Sequence, residues 1–401
     1  MNDKPPTILQ IIPQLETGGA ELSTIEIAEA VVRAGGKAIV LSQGGRMAPR
    51  LAEVGAEFIP FAAATKNPAR IIWNAKLILN LATARGVSLI HARSRAPAWS
   101  ALIAARGLHL PFVTTYHGAY NEKSRIKNLY NSVMARSDVV IANSRYTADL
   151  VASRYHTLPE RLRIIYRGVD APRYDPAAVS TERIAALRAK WGIAPATRIV
   201  LHAARLTTWK GQGDLISTAA RMRARLGDVV FILAGDAQGR DAYRAGLERQ
   251  ISENGLQGIV HLVGHVDDMP AAFAASHVAF VASIEPEAFG RAAAEAQAIG
   301  CPVISTNIGA PPETVMAPPR VTADQRTGWL VPPGDLAAYE RALDEALALT
   351  PSQRDEIGAR ARAHVLANFT TEMMQRQTLG VYDQLLGSGM VAAFDAGQRK
   401  A

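Results

Sequence analysis

The chain has 401 residues, 48% apolar and 20% charged, the balance of a soluble globular protein and not of a disordered one. That length exceeds one ordinary core and suits two domains of roughly 150 to 200 residues. The formal net charge is +8, and residues 91–173 alone carry 13 Lys/Arg against 5 Asp/Glu, so the excess lies in one window that suits an anionic contact. The single cysteine, Cys301, excludes an internal disulfide, and between Gly300 and Pro302 it reads as a small buried hydrophobe. The opening stretch MNDKPPTILQIIP has no cleavage signal, and no apolar run is long enough for a membrane span, so the cytoplasm is the expected compartment.

In chain order, short apolar runs at 7–12, 37–42, 88–92, 112–116, 139–142 and 163–166 alternate with helix-like segments, the pattern of a parallel sheet wound with helices. After Asp170 the stretch APRYDPAAVSTER breaks the rhythm and reads as a linker. A second series follows at 198–202, 229–234, 259–263, 278–283 and 302–306, with helices from about 335 to the end. The expected fold class is therefore α/β, with two Rossmann-like doubly wound lobes facing across a cleft and ligands at the carboxyl ends of the strands.

In the first lobe, Gly18-Gly19 lie at a strand-to-helix turn before a helix with apolar Leu22, Ile25, Ile27 and Ala28, which lets a phosphate approach the backbone. There is no G-x-G-x-x-G, and the second strand ends in Leu41-Ser42-Gln43 without the acid that would hold a ribose, which argues against a nicotinamide oxidoreductase. The segment TTYHGAY places His117 at a strand tip, where it can meet a sugar hydroxyl or the reacting centre. The next helix, NEKSRIKNLYNSVMAR, predicts a stripe of Ile126, Leu129, Tyr130, Val133 and Met134 packed on the sheet, with Lys123, Arg125 and Lys127 off it. Those three cations are also candidates for contact with an anionic membrane or acceptor.

In the second lobe, HAARLTTWKGQGDLI sets Arg205 just past a strand and Lys210 five residues on, a bidentate cation and a mobile one suited to a diphosphate leaving group. The stretch EPEAFGRAAAE puts Glu287 before a helix and Glu295 within it. The free amides of Phe289, Gly290 and Arg291 at the helix start suit a phosphate, and the carboxylates suit sugar and ribose hydroxyls.

Taken together, GGAE at 18–21, YHG at 116–118, IANS at 141–144, RGVD at 167–170, ARLTTWKG at 204–211, LAGD at 233–236, LVGHV at 262–266 and EPEAFGRAAAEA resemble glycosyltransferase family 4, retaining nucleotide-sugar enzymes of the GT-B architecture. The resemblance implies a first domain at 1–172, a nucleotide-sugar domain at 173–370, and a helix at about 371–387 crossing back to the first. It implies catalytic roles for His117, Glu287, Arg205 and Lys210. Donor contacts would come from Gly18, Gly19, Gly235, Val266, Phe289, Gly290, Arg291 and Glu295. Arg167 departs from the asparagine usual before Gly-Val-Asp, which bears on a contact at the linker's edge. With no D-x-D and no His/Cys cluster, no metal or other cofactor is expected.

The implied activity is retaining transfer of a hexose, mannose or glucose, from a UDP- or GDP-linked donor to an anionic glycolipid such as lipopolysaccharide core, at the cytoplasmic face of the inner membrane. A nucleotide-sugar epimerase and a non-catalytic two-lobed sugar-binding protein are the alternatives. A nucleic-acid partner is not expected, because no basic motif is interleaved with aromatics.

Overall fold

A computed structural model describes residues 5–118 and 124–398. The chain divides into two compact units, Met1–Gly168 with Thr371–Ala401, and Val169–Thr370.

The first unit is built on a seven-stranded parallel sheet: β1 (Thr7–Ile11), β2 (Lys37–Ser42), β3 (Glu57–Pro60), β4 (Leu89–Ala92), β5 (Phe112–Tyr116), β6 (Val139–Ala142) and β7 (Leu162–Ile164), in the order β3-β2-β1-β4-β5-β6-β7. Its helices are α1 (Gly19–Arg33), α2 (Pro49–Glu53), α3 (Pro68–Arg85), α4 (Arg95–Leu108), α5 (Arg125–Asn131) and α6 (Arg145–Tyr155). The strands read as unbroken apolar runs because both sheet faces are covered. Successive residues of β1 serve opposite cores: Ile8 packs with Ile27, Ala28 and Val31 of α1, and Leu9 with Ile78 of α3 and Ala101, Ala104 and Ala105 of α4. Local chemistry fixes the helix ends. The Asn67 side chain caps the amides of Ala69 and Arg70, Pro68 opens α3, and Gly86 closes it at φ 60°.

The second unit holds a six-stranded parallel sheet: β8 (Arg198–Ala203), β9 (Val229–Ala234), β10 (Val260–Gly264), β11 (Val278–Val281), β12 (Val303–Thr306) and β13 (Gly328–Val331), in the order β10-β9-β8-β11-β12-β13. Around it lie α7 (Thr181–Lys190), α8 (Gln212–Met222), α9 (Asp241–Glu253), α10 (Met269–Ala274), α11 (Arg291–Ala298), α12 (Pro311–Thr314), α13 (Leu336–Leu347) and α14 (Pro351–Asn368). Strands β8 and β11 are neighbours, although three crossovers separate them in sequence, so the loops after them meet at a topological switch point. The last helices, α15 (Thr371–Leu386) and α16 (Met390–Gln398), belong to the first unit. There the Tyr382 hydroxyl lies 2.7 Å from His91 Nδ1, and Gln375 Nε2 donates to the Glu26 carbonyl at 2.8 Å.

Two strands, β3 and β13, were not anticipated from the sequence. Both are edge strands that lack the plain apolar run of the interior ones: β3 (EFIP) is only half-buried and carries an acid and a proline, and β13 (GWLV) opens on glycine. The stripe expected on 126–134 also needs correction: Val133 and Met134 are fully buried, whereas Ile126 is 82% and Leu129 60% exposed. The reason is local. The α-helix ends at Asn131 and a 3-10 turn, Ser132–Ala135, changes the winding, so the stripe leaves the core face. Among the described residues no helix is long and apolar enough to cross a membrane.

Candidate active site

In the second unit the loop after β8 carries Arg205 and Lys210 and ends at Gly211. Gly211 has φ +75°, and a Cβ there would stand 1.9 Å from the Ala282 carbonyl oxygen, so only glycine lets this loop press on the end of β11. That close approach brings Lys210 Nζ onto Glu287 Oε1 as an ion pair, and Ser283 Oγ donates to the same oxygen at 2.6 Å. Both charged side chains are largely withdrawn from water, where a charge without its partner is costly. The Lys210 ammonium also stands 4.2 Å from the centre of the Trp209 ring. Glu287 is held from behind, because its carbonyl accepts from the Ala310 amide at 2.8 Å in a bridge to Gly309.

Three residues on, Gly290 takes the left-handed conformation, φ 84°, and α11 begins with no side-chain cap. Its first-turn amides therefore stand at the positive end of the helix with no capping oxygen from Gly290. Phe289 is buried edge-on against Phe369, with ring centres 5.7 Å apart. One turn in, Glu295 Oε1 accepts from Arg291 Nε at 2.7 Å. Tyr174, which sequence reading placed in the linker, adjoins that carboxylate. Burial, and then the Glu295 charge, push its phenol well above the ordinary range.

Arg205 is exposed, and its guanidinium makes no ion pair or hydrogen bond with a described residue. The loop after β9 lies against it: a Cβ on Gly235 would stand 1.8 Å from the Ala204 carbonyl oxygen. Beside that contact is a cavity of about 130 Å³ whose lining includes Gly235, Asp236 and Gly264. Val266 follows two residues past Gly264, partly buried. On β8, His202 Nδ1 donates to the Phe280 carbonyl at 2.7 Å, and burial pulls its pKa down to about 4. Cys301 is buried and its thiol is pushed up to about 12, which removes it as a nucleophile at neutral pH.

In the first unit His117 follows β5, and Arg167 Nη2 lies 2.8 Å from its Nδ1. A guanidinium only donates, so Nδ1 accepts and the ring proton of the neutral imidazole sits on Nε2. Nε2 is buried and has no hydrogen-bond partner. Burial first, then the charges of Arg167 and Arg93 and the neighbouring His91, hold His117 well below the usual histidine range, so the ring is neutral. A Cβ on Gly19 would stand 2.0 Å from Arg167 Nη1, and one on Gly18 2.5 Å from Glu21 Oε2. The first of these contacts corrects the sequence reading of Arg167: it reaches past the linker's edge to His117 and to the glycine turn.

Arg93 was missed altogether. It is 3% exposed, Nη2 donates to Ser23 Oγ at 2.7 Å, and burial draws its pKa down to about 10. Arg93, His117, Arg167, Thr115 and Asn143 share one small cavity, and none of its described lining residues is acidic. Position was the available signal, since Arg93 directly follows β4 and Arg167 lies just past β7, at the same carboxyl edge as His117.

The structure thus gathers Lys210, Ser283 and Glu287 at one switch point in the second unit, with Gly290, Arg291 and Glu295 on the adjoining helix. It gathers Gly19, His117 and Arg167 in the first unit. Arg125 and Lys127 are exposed on α5, apart from these clusters, and Lys123 lies outside the described residues.

Two Rossmann-like units with phosphate-suited loops at their strand ends define a glycosyltransferase of the GT-B class. Family models agree: the model described as Glycosyltransferase Family 4 matches residues 17–173, and that of Glycosyl transferases group 1 matches residues 184–364. A glycosyltransferase from Rickettsia africae ESF-5 is 32% identical with a TM-score of 0.86, covering 96% of this chain and 100% of that one. The chain belongs to glycosyltransferase family 4. The Anabaena protein Alr3699/HepE, solved with UDP-glucose, is 26% identical with a TM-score of 0.82 over 94% of this chain and 100% of that one. A D-inositol 3-phosphate glycosyltransferase of Streptomyces scabiei is 31% identical over 58% of this chain and 51% of its own. The chain spans about half the length of the curated relatives it matches first.

Proposed function

We propose that this glycosyltransferase moves a hexose, glucose or mannose, from a UDP- or GDP-linked donor to an anionic glycolipid such as lipopolysaccharide core, with retention of configuration, at the cytoplasmic membrane surface. The observation that carries this reading is the Lys210–Glu287–Ser283 cluster set three residues before the uncapped start of α11. In this reading Arg205, Lys210 and the amides of Phe289, Gly290 and Arg291 take the diphosphate, and they lower the barrier by stabilising the charge that builds on it as it leaves. The donor draws the Lys210 ammonium toward phosphate, and Glu287 then accepts from sugar hydroxyls. Glu295 holds the ribose, and Gly235 and Val266 edge the base. Gly18 and Gly19 leave room at the first unit's turn. Positive charge from these side chains and from the helix start stands in for a metal, and no cofactor is invoked. The UDP-glucose complex of the Anabaena neighbour favours UDP and glucose.

Retention fits the protonation states. With Nδ1 taken by Arg167 and a proton on Nε2, His117 donates to an oxygen of the sugar and cannot act as a base there. Glu287 accepts from Ser283 and, once the donor has drawn Lys210 away, from sugar hydroxyls, and so makes a poor nucleophile. Departure of the diphosphate with attack on the same face needs neither.

A second reading for the acceptor, a soluble inositol phosphate, is favoured by the name of the Streptomyces scabiei relative and by the acid-free cavity of Arg93 and Arg167. Incubation of the full chain with UDP-glucose and either acceptor, followed by NMR of the product's anomeric proton, separates the readings. The proposal expects an axial linkage on the glycolipid. An equatorial linkage contradicts retention, glucosylated inositol phosphate alone moves the acceptor to the second reading, and isomerised donor without acceptor makes the protein an epimerase.

A further inference from the structure

The transfer chemistry leaves one surface of the first unit unused. Eight large apolar side chains stand exposed among the described residues, and six of them, Ile72, Trp73, Leu77, Ile103, Ile126 and Leu129, lie on α3, α4 and α5. Trp73 is 61% exposed. Clustered exposure of this kind marks an interaction surface, whereas scattered apolar residues do not.

One turn of α4 ties the three helices together. Trp99 Nε1 donates to the Tyr130 carbonyl at 3.1 Å on the α5 side, and Ser100 Oγ donates to the Ile71 carbonyl at 3.0 Å on the α3 side. Leu129 adjoins the first contact, and Ile72 and Trp73 adjoin the second. Because α3, α4 and α5 follow parallel strands, their first turns stand at the carboxyl edge of the sheet, the edge that carries His117.

The charge of this region is one-sided. Residues 61–137 contain 11 Lys/Arg and a single acid, Glu122. Arg70, Trp73 and Leu77 recur at spacings of three and four residues, so a basic and two apolar groups run down one side of α3, with Lys66 just before its Asn67 cap.

We propose that this face seats the first unit on an anionic lipid bilayer, with Trp73, Ile72 and Leu129 entering the boundary between headgroups and acyl chains and Lys66, Arg70 and Lys127 meeting lipid phosphates. Diffuse negative charge over an apolar interior is what such a face matches. Arg85 and Arg106 are paired with Glu57 and Asp138, but the face would still set the exposed Lys66, Arg70 and Lys127 of one copy against those of another, so self-pairing is disfavoured. The inference rests on the glycolipid reading for its purpose, since docking would bring the His117 edge to a membrane-held acceptor. Its evidence is separate.

The test is co-sedimentation of the full chain with vesicles of phosphatidylcholine alone or with about 30% phosphatidylglycerol, a measurement that needs neither donor nor acceptor. The protein is expected to bind only the anionic vesicles and to be released near about 1 M salt, where the screening length falls to about 3 Å. Trp73→Ser with Leu129→Ser should weaken binding at least about tenfold. Both sites are exposed, so the melting temperature and its rise with UDP should be unchanged, which shows the variant folded and leaves the transferase reading intact. Equal binding to neutral vesicles, or a folded double variant that binds like the parent, overturns the proposal. So does a dimer in sedimentation velocity that the double variant dissolves, which would assign the face to self-association.

Discussion

The two units prepare for a ligand in opposite ways. In the second unit two of the cations near the switch point are already matched, Lys210 with Glu287 and Arg291 with Glu295, and only Arg205, on the same loop as Lys210, makes no ion pair with a described residue, so a phosphate must compete for Lys210 and Arg291. In the first unit, Arg93 and Arg167 border a cavity whose described lining holds no acid, beside a neutral histidine with an unused N–H. A matched pair leaves neither partly buried charge without a partner and, under the proposed function, exchanges partners when the donor binds. A cationic cavity with no acid in its described lining instead suits a ligand that brings its own negative charge, as an anionic acceptor does.

The largest effect expected is at the backbone contact that creates the matched pair. Gly211→Ala meets the Ala282 carbonyl at a positive φ and should cost roughly 3 kcal/mol or more of stability, measured by urea denaturation. Lys210→Ala, which strips the pair of its cation, should lower kcat by about 10² to 10³. The double variant Lys210→Met with Glu287→Gln should lose less than the sum of the two single losses if the pair acts as a unit. Additive losses would mean that the two residues work independently.

Acid stability reports on the buried strand between these loops. His202 has a folded pKa of about 4, below its unfolded value, so the unfolded chain binds more protons in between and stability rises with pH across that window. The contribution is complete above about pH 6.5 and is lost as pH falls toward 4, up to roughly 3 kcal/mol. His202→Gln should flatten the slope in melts run from pH 7 to 4.

The smallest effect tests the first unit. Arg167→Asn removes a charge that lowers the His117 pKa, although burial remains the main cause, so the acid limb of kcat/KM should move to higher pH. Gly19→Ala should push the Arg167 guanidinium off His117 in the parent and be neutral beside Arg167→Asn, a coupling of about 1 kcal/mol. An unchanged acid limb would show that Arg167 does not act through the ring.

What the sequence revealed follows from how locally each feature is encoded. Glu287 and Glu295 lie on one loop and the helix after it, so their spacing and the intervening Phe289-Gly290 could be read directly. The interior strands announced themselves because burial on both faces leaves long apolar runs. The Arg167–His117 bond spans 50 residues and two strands, and only the sheet order brings its ends together. Tyr174 looked like linker because its partner, Glu295, lies more than a hundred residues on. On α5 the period was read correctly, but a change of helix type at Ser132 redirected the side chains, which composition cannot signal.

The central claim is that the second unit binds the donor's diphosphate and ribose, and thermal shift against a panel of nucleoside diphosphates tests it most directly, because a ligand held only by the folded form raises the melting temperature. The account predicts a rise with UDP or GDP in the parent that Arg205→Ala and Glu295→Ala each abolish. A rise that survives both substitutions, or one given by NAD alone, would contradict it.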